Sequence, residues 1–148
     1  MTEQPQTSAQ VAAEVARRIR TNPRRHDQAN WFWFKSHPEK LEITPQVSYG
    51  ASYERSPVAV IDVSEIGACG TTACVAGYVA LVVTPGTQYV SICELFSADH
   101  EVLGCPYEIA KSALRLSTDE AEWLFCEDRT RRQILGSLDR MADGKRAR

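Results

Sequence analysis

Ala68-Cys69-Gly70-Thr71-Thr72-Ala73-Cys74-Val75-Ala76-Gly77-Tyr78-Val79-Ala80-Leu81-Val82-Val83 is the most apolar run in the chain, and its reading decides the fold. It is shorter than the roughly 20 apolar residues that span a bilayer. A helix that is apolar on every side belongs in a protein core. The run therefore predicts a buried central helix over about 70–83. Ala73, Ala76, Gly77 and Ala80 give it a surface of small side chains that lets another element approach closely. Cys74, Val75, Tyr78, Val79, Leu81 and Val82 cover its other faces.

Toward the C-terminus the helical signals are strong. Pro106 suits the first position of a helix, because its missing N–H has no intrahelical partner there anyway. Ile109, Ala110, Ala113 and Leu114 supply that helix's apolar face. Ser117-Thr118-Asp119-Glu120 and Thr130-Arg131-Arg132-Gln133 both have the capping-box form, in which hydroxyl and carboxyl or amide side chains satisfy orphan backbone donors. The first opens a short helix with Ala121, Leu124 and Phe125 inward. The second opens a longer one striped by Ile134, Leu138 and Met141 and ended by Gly144. Lys145, Arg146 and Arg148 complement the dipole at that end. Ile109–Phe125 is helix–turn–helix in outline, yet Asp119, Glu120 and Glu122 at the start of its second helix repel phosphate, so it reads as a scaffold hairpin.

Toward the N-terminus, Thr7-Ser8-Ala9-Gln10 is another capping box. Val11, Val15 and Ile19 follow it as one stripe, with Ala12 and Ala16 beside them, up to the stop at Asn22-Pro23. Between this helix and the central run, Pro38, Pro45, Gly50 and Pro57 punctuate the chain. The reading there is an irregular excursion over 35–56 with a short strand near Val47–Tyr49. Val58–Val63 is the best strand candidate, and Gln88–Ile92 is a second that would make a small two-stranded sheet with it. The expected fold is mainly α (α+β). It is one domain over 1–148, with flexible ends at 1–6 and 145–148, a buried central helix and a C-terminal three-helix segment.

The totals narrow the functional classes. The chain has 148 residues, 43% hydrophobic and 24% charged, as in ordinary globular proteins. A net charge of −2 creates no global field toward nucleic acid or an anionic membrane. Met1–Gln10 is polar and lacks the apolar stretch of a secretory signal. Five cysteines, an odd number, favour reduced thiols and a cytoplasmic protein. No cofactor and no membrane contact are expected.

Three chemical readings compete with a purely structural role for the central segment. Cys69 at a helix start is placed as a thiolate nucleophile would be, with its pKa lowered by the helix and backbone N–H groups facing an oxyanion. The base would be His100, the only histidine downstream, which lies in the polar stretch Ser97–Glu101. Cys69 and Cys74 lack the two-residue spacing of zinc knuckles, and no second pair follows, so no metal ligand set is expected. The N–H groups of Gly70, Thr71 and Thr72 at a helix start could hold phosphate or carboxylate, but the segment lacks the lysine and glycine spacing of a phosphate loop, so nucleotide hydrolysis is not expected. Elsewhere, Arg17, Arg18, Arg20, Arg24 and Arg25 form the densest basic cluster. With Trp31 and Trp33 after it, the cluster offers charge and stacking to single-stranded nucleic acid.

Cys69–Tyr78 (Cys-Gly-Thr-Thr-Ala-Cys-Val-Ala-Gly-Tyr) resembles a Cys-Gly-Thr-x-x-Cys-x-Ala-Gly-aromatic signature of small, uncharacterised proteins of actinobacteria and their tailed phages. Ile19–Asp27 resembles that family's first helix and turn, and Leu114–Phe125 and Thr130–Gly144 resemble its C-terminal helices. Lys35–Ile61 looks longer than the corresponding loop. The resemblance brings no reaction. It implies a cytoplasmic accessory protein of a bacterium or phage that acts on a host component. The expectation is accordingly a non-enzymatic protein whose partner is another protein. A cysteine-dependent hydrolase or transferase using Cys69 is the first alternative, and nucleic-acid binding through Arg17–Arg25 the second.

Overall fold

The computed structural model describes residues 7–23, 26, 32–33, 39–43, 56–63, 72–91 and 94–148. Among them the order is α1 (Ser8–Thr21), β1 (Phe32–Trp33), β2 (Glu39–Ile43), β3 (Ser56–Asp62), β4 (Thr72–Ala73), α2 (Val75–Val83), β5 (Thr87–Val90), β6 (Leu95–Ser97), β7 (Val102–Gly104), α3 (Pro106–Ala113), α4 (Thr118–Leu124) and α5 (Arg131–Ala142). The mainly α, α+β class read from the sequence is the class of the structure.

All three capping boxes form. Thr7, Ser117 and Thr130 each accept from the N–H three residues on, and Gln10, Glu120 and Gln133 each reach back to the N-cap N–H. Each such cap contributes on the order of 1 kcal/mol. α1 ends at Asn22 before Pro23, and Pro106 occupies the first turn of α3. The apolar stripes of α1 and α5 are buried: Val11, Val15 and Ile19 on the first, Ile134, Leu138 and Met141 on the second. α2 packs on α1 and α3, and α1 packs on α5. The main core therefore gathers all five helices, with Val90 of β5 and Leu95 of β6 closing it from the sheet.

The central helix is shorter than 70–83. Thr72 and Ala73 are extended and pair antiparallel with Trp33 and Phe32. That ladder gives their backbone groups partners outside a helix, and Thr72, β-branched at χ1, suits it. The helix begins only after Cys74, its N-cap, and runs to Val83. Val75, Ala76, Gly77, Val79 and Ala80 are buried as the all-round apolar pattern requires.

The sheet is larger than the expected pair. β3 and β5 do pair, with Ile61 opposite Val90 and Asp62 opposite Tyr89. They are the middle of a five-stranded antiparallel sheet ordered β2-β3-β5-β6-β7. β2 lies inside the stretch read as an irregular excursion, pairing Glu39–Ile43 with Ser56–Val60. The strand expected near Val47–Tyr49 lies outside the described residues. Neighbouring residues of a strand face opposite ways. Val90 and Leu95 thus enter the helical core, while Tyr89 and Phe96 join Val60 and Val102 in a second cluster on the other face. The Asp62 carboxylate accepts from the Gln88 amide across β3 and β5.

The end at 145–148, read as flexible, makes contacts with α5 and α4. Ala147 is buried, and the Ser137 hydroxyl donates to its carbonyl at 2.7 Å. Arg140 Nε donates to the Arg146 carbonyl at 3.2 Å, and the Arg148 guanidinium lies 5.1 Å from the centre of the Trp123 ring. The segment 1–6 lies outside the described residues.

Candidate functional site

The shortened α2 changes the premise of the nucleophile reading. The residue at the helix start is Cys74, not Cys69, and Cys74 is 1% exposed, where a thiol behaves as a small hydrophobe. Cys69 lies six positions before Val75, outside the described residues, and a helix dipole acts only over its first turn. His100 sits at an exposed hairpin tip between β6 and β7. Its N–H donates to the Ser97 carbonyl at 3.0 Å and its φ is +65°, the left-handed residue that follows a type I turn in such hairpins. Its ring packs edge-on against Tyr89, 5.7 Å between centroids. That is a backbone-shaping position on the sheet. Among the described residues, no three His, Cys, Asp or Glu side chains converge as a metal site would require. No helix among them is long and apolar enough to cross a membrane.

The basic cluster of α1 is spent on internal partners. Glu14 accepts from Arg17 at 2.7 and 2.9 Å and from Arg18 at 2.9 Å. The Arg17 and Arg18 hydrogen bonds hold the Glu14 carboxyl down at about 2. Arg20 forms a two-pronged pair with Asp139 of α5, at 2.8 and 2.5 Å, which pulls the Asp139 carboxyl below its usual range. Arg24, Arg25 and Trp31 lie outside the described residues. Trp33 is placed only by its backbone, in β1. The three described arginines thus face carboxylates of their own chain.

Among the described residues, positive charge without an ion-pair partner is found instead at the α3–α4 turn and the tail, on Arg115 and Lys145. α3 and α5 end in the same device, a Schellman turn whose C′ residue is left-handed. After α5 that residue is Gly144, φ +79°, with its N–H on the Met141 carbonyl and the Lys145 N–H on the Arg140 carbonyl. After α3 it is Arg115, φ +54°, with its N–H on the Ser112 carbonyl and the Leu116 N–H on the Lys111 carbonyl. Glycine adopts this conformation freely, whereas a long side chain there is strained.

The two turns flank a solvent-open cleft of about 470 Å³. Leu114, Leu116, Met141 and Ala147 line it with apolar side chains that are otherwise buried. Arg115, Lys145 and Arg146 bring three cations to it, and Glu120 is its one lining carboxylate. Ser8 and Ser117 supply hydroxyls. Glu120 is held by the Ser117 N–H at 3.0 Å, the main cause of its lowered carboxyl pKa, and more loosely by Arg146 at 3.4 Å. Among the described residues, neither Arg115 nor Lys145 forms an ion pair. On α4, two guanidiniums lie over the Trp123 ring, Arg129 at 4.8 Å and Arg148 at 5.1 Å from its centre.

Sequence reasoning missed this cleft because it forms where the turn after α3 and the turn after α5 come together, with Ser8 of α1 beside them, and local patterns do not show that meeting. One signal was present: a bulky cation, Arg115, where a helix C-terminus favours glycine. No protein-family model matches the chain, and no curated protein or solved structure matches it.

Proposed function

We propose that the chain is a non-enzymatic interaction protein whose partner docks on the face made by the α3–α4 turn, α4 and the 144–148 tail. The observation behind this is the cleft itself, with apolar side chains at its base and polar and charged groups around them. Recognition sites commonly combine apolar lining with a few convergent polar groups. The Trp123–arginine stack beside it adds residue types enriched in interface hot spots. The resemblance of Cys69–Tyr78 to small actinobacterial and phage proteins makes a cytoplasmic actinobacterial host component the first partner to try.

The test is photo-crosslinking in such a lysate. A crosslinking side chain replaces exposed Lys145 in one protein and exposed Arg132, away from the cleft, in another. The reading expects one discrete adduct from position 145 and none from 132. No adduct from position 145 overturns it, and turnover by the purified chain in a hydrolase or transferase panel would then favour an enzyme.

A further inference from the structure

We infer that the cleft takes an acidic, partly apolar peptide segment of another protein, its carboxylates meeting Arg115, Lys145 and Arg146. This rests on the interaction reading above and names the chemistry of the partner. The first argument is charge. Three cations against one carboxylate make the cleft locally positive in a chain whose net charge is −2. Complementary charge steers encounter and selects partners.

The second argument is the contrast with α1. There, Arg17 and Arg18 share Glu14 and Arg20 pairs with Asp139, so each of the three arginines has a carboxylate partner. At the cleft, Arg115 and Lys145 have no such partner among the described residues. Arg146 has only a 3.4 Å contact to Glu120 while 76% exposed, and Glu120 is already engaged by the backbone of its own helix cap. An incoming carboxylate therefore replaces a weak contact at one cation and fills an empty place at two.

The third argument is the apolar lining. Leu114, Leu116 and Met141, exposed by only 4%, 8% and 6%, add a narrow apolar margin beside the cations, which a phosphodiester backbone would not use and an apolar side chain next to an acidic one would. Arg115 also keeps a left-handed conformation that glycine would adopt without strain, at a turn that touches the cleft. Strain of this kind persists where a side chain is held for a purpose beyond the fold.

The experiment is selection from a display library of short randomised peptides against the full chain, with a single-stranded oligonucleotide pool run in parallel. The expected winners are rich in Asp and Glu interleaved with Leu, Ile or Phe. Their affinity falls about tenfold or more in the Lys145→Gln/Arg146→Gln double variant, falls severalfold in Arg115→Gly, and is unchanged in Arg132→Gln. Raising the salt weakens binding of the unaltered chain more than that of the double variant. Neutral or basic winners overturn the inference, as does affinity indifferent to the cleft substitutions. Oligonucleotides that bind through the same cations more tightly than any peptide also overturn it. If no acidic peptide is selected while the position-145 crosslink still forms, the acidic-segment inference falls and the interaction reading stands. Failure of the crosslink as well removes both.

Discussion

Replacing Arg115 by glycine should make the protein more stable while weakening its proposed contact, and the first half can be worked from the backbone alone. Arg115 sits at φ +54° as the C′ residue of α3, with both Schellman hydrogen bonds made by backbone groups that the substitution leaves in place. The left-handed conformation costs a residue with a Cβ about 1–2 kcal/mol. Glycine removes that cost, but its freer unfolded chain returns about 0.5–1 kcal/mol of it. The side chain itself is exposed and makes no ion pair among the described residues, so its loss contributes little. The net expectation is a gain of about 0.5–1 kcal/mol, or roughly 1–4 °C in Tm for a domain of this size. Arg115→Ala is the control, because it removes the same guanidinium and keeps the strain; it should lie within about 0.5 kcal/mol of the unaltered chain. Urea melts with matched m-values, supported by thermal scans, measure both. A glycine variant no more stable than the alanine variant would refute the strain argument. A loss of stability in both variants would show that the Arg115 side chain supports the fold.

The same reasoning at the hairpin tip predicts that His100→Gly stabilises by a smaller amount, since histidine tolerates the left-handed region better than most residues; denaturant melts should show a shift below that of Arg115→Gly. Gly136 is exposed inside α5, with nothing within 4 Å of where a Cβ would stand, so Gly136→Ala should add about 0.5–1 kcal/mol in the same melts. Ser137→Ala strips the buried Ala147 carbonyl of its 2.7 Å donor and should cost about 1–2 kcal/mol, with faster amide exchange confined first to the tail. Glu14 titrates near 2 instead of 4.5, so its contribution is fully present above about 4.5 and is lost as pH falls through about 2. Acid melts of Glu14→Gln should therefore fall less steeply across that window than those of the unaltered chain, and identical slopes would contradict the pairing with Arg17 and Arg18.

The parts of the fold that could be read from the sequence are those written in local chemistry. Thr7, Ser117 and Thr130 announce helix starts because a cap and its partner lie three residues apart. The burial of Val11, Val15 and Ile19 follows from a period that needs no knowledge of the partner. β6 and β7 were not legible, being three residues each, too short for alternation to register. β2 was hidden for another reason: Glu39-Lys40-Leu41-Glu42-Ile43 is strongly charged, and its strand character comes from pairing with β3. The start of α2 was misplaced because Thr72-Ala73 suits a helix N-terminus by composition, and only the distant Phe32-Trp33 partner draws it into a ladder. The charge clusters misled in the same way. Arg20 looks free along the sequence, and its neutralising Asp139 is 119 residues away.

The cleft brings these threads together. Local rules hold almost everywhere in the helical half, so a departure from them carries information. The two non-glycine residues with positive φ among those described are His100 and Arg115. His100 belongs to a residue type enriched in that conformation, stacks on Tyr89 and shapes a hairpin, which accounts for it structurally. Arg115 has no comparable account: the equivalent turn after α5 uses Gly144, and among the described residues no carboxylate pairs with the Arg115 guanidinium. The charge distribution points the same way. Arg20, which helps hold α1 to α5, meets a carboxylate at close range, while among the described residues Arg115 forms no ion pair and Arg146 has only a loose one with Glu120. Stability alone would favour glycine at 115 and a carboxylate near 145. Glycine at 115 would remove one cation from the cleft, and a carboxylate near Lys145 would engage another from within, so each would reduce what a partner's carboxylates could meet.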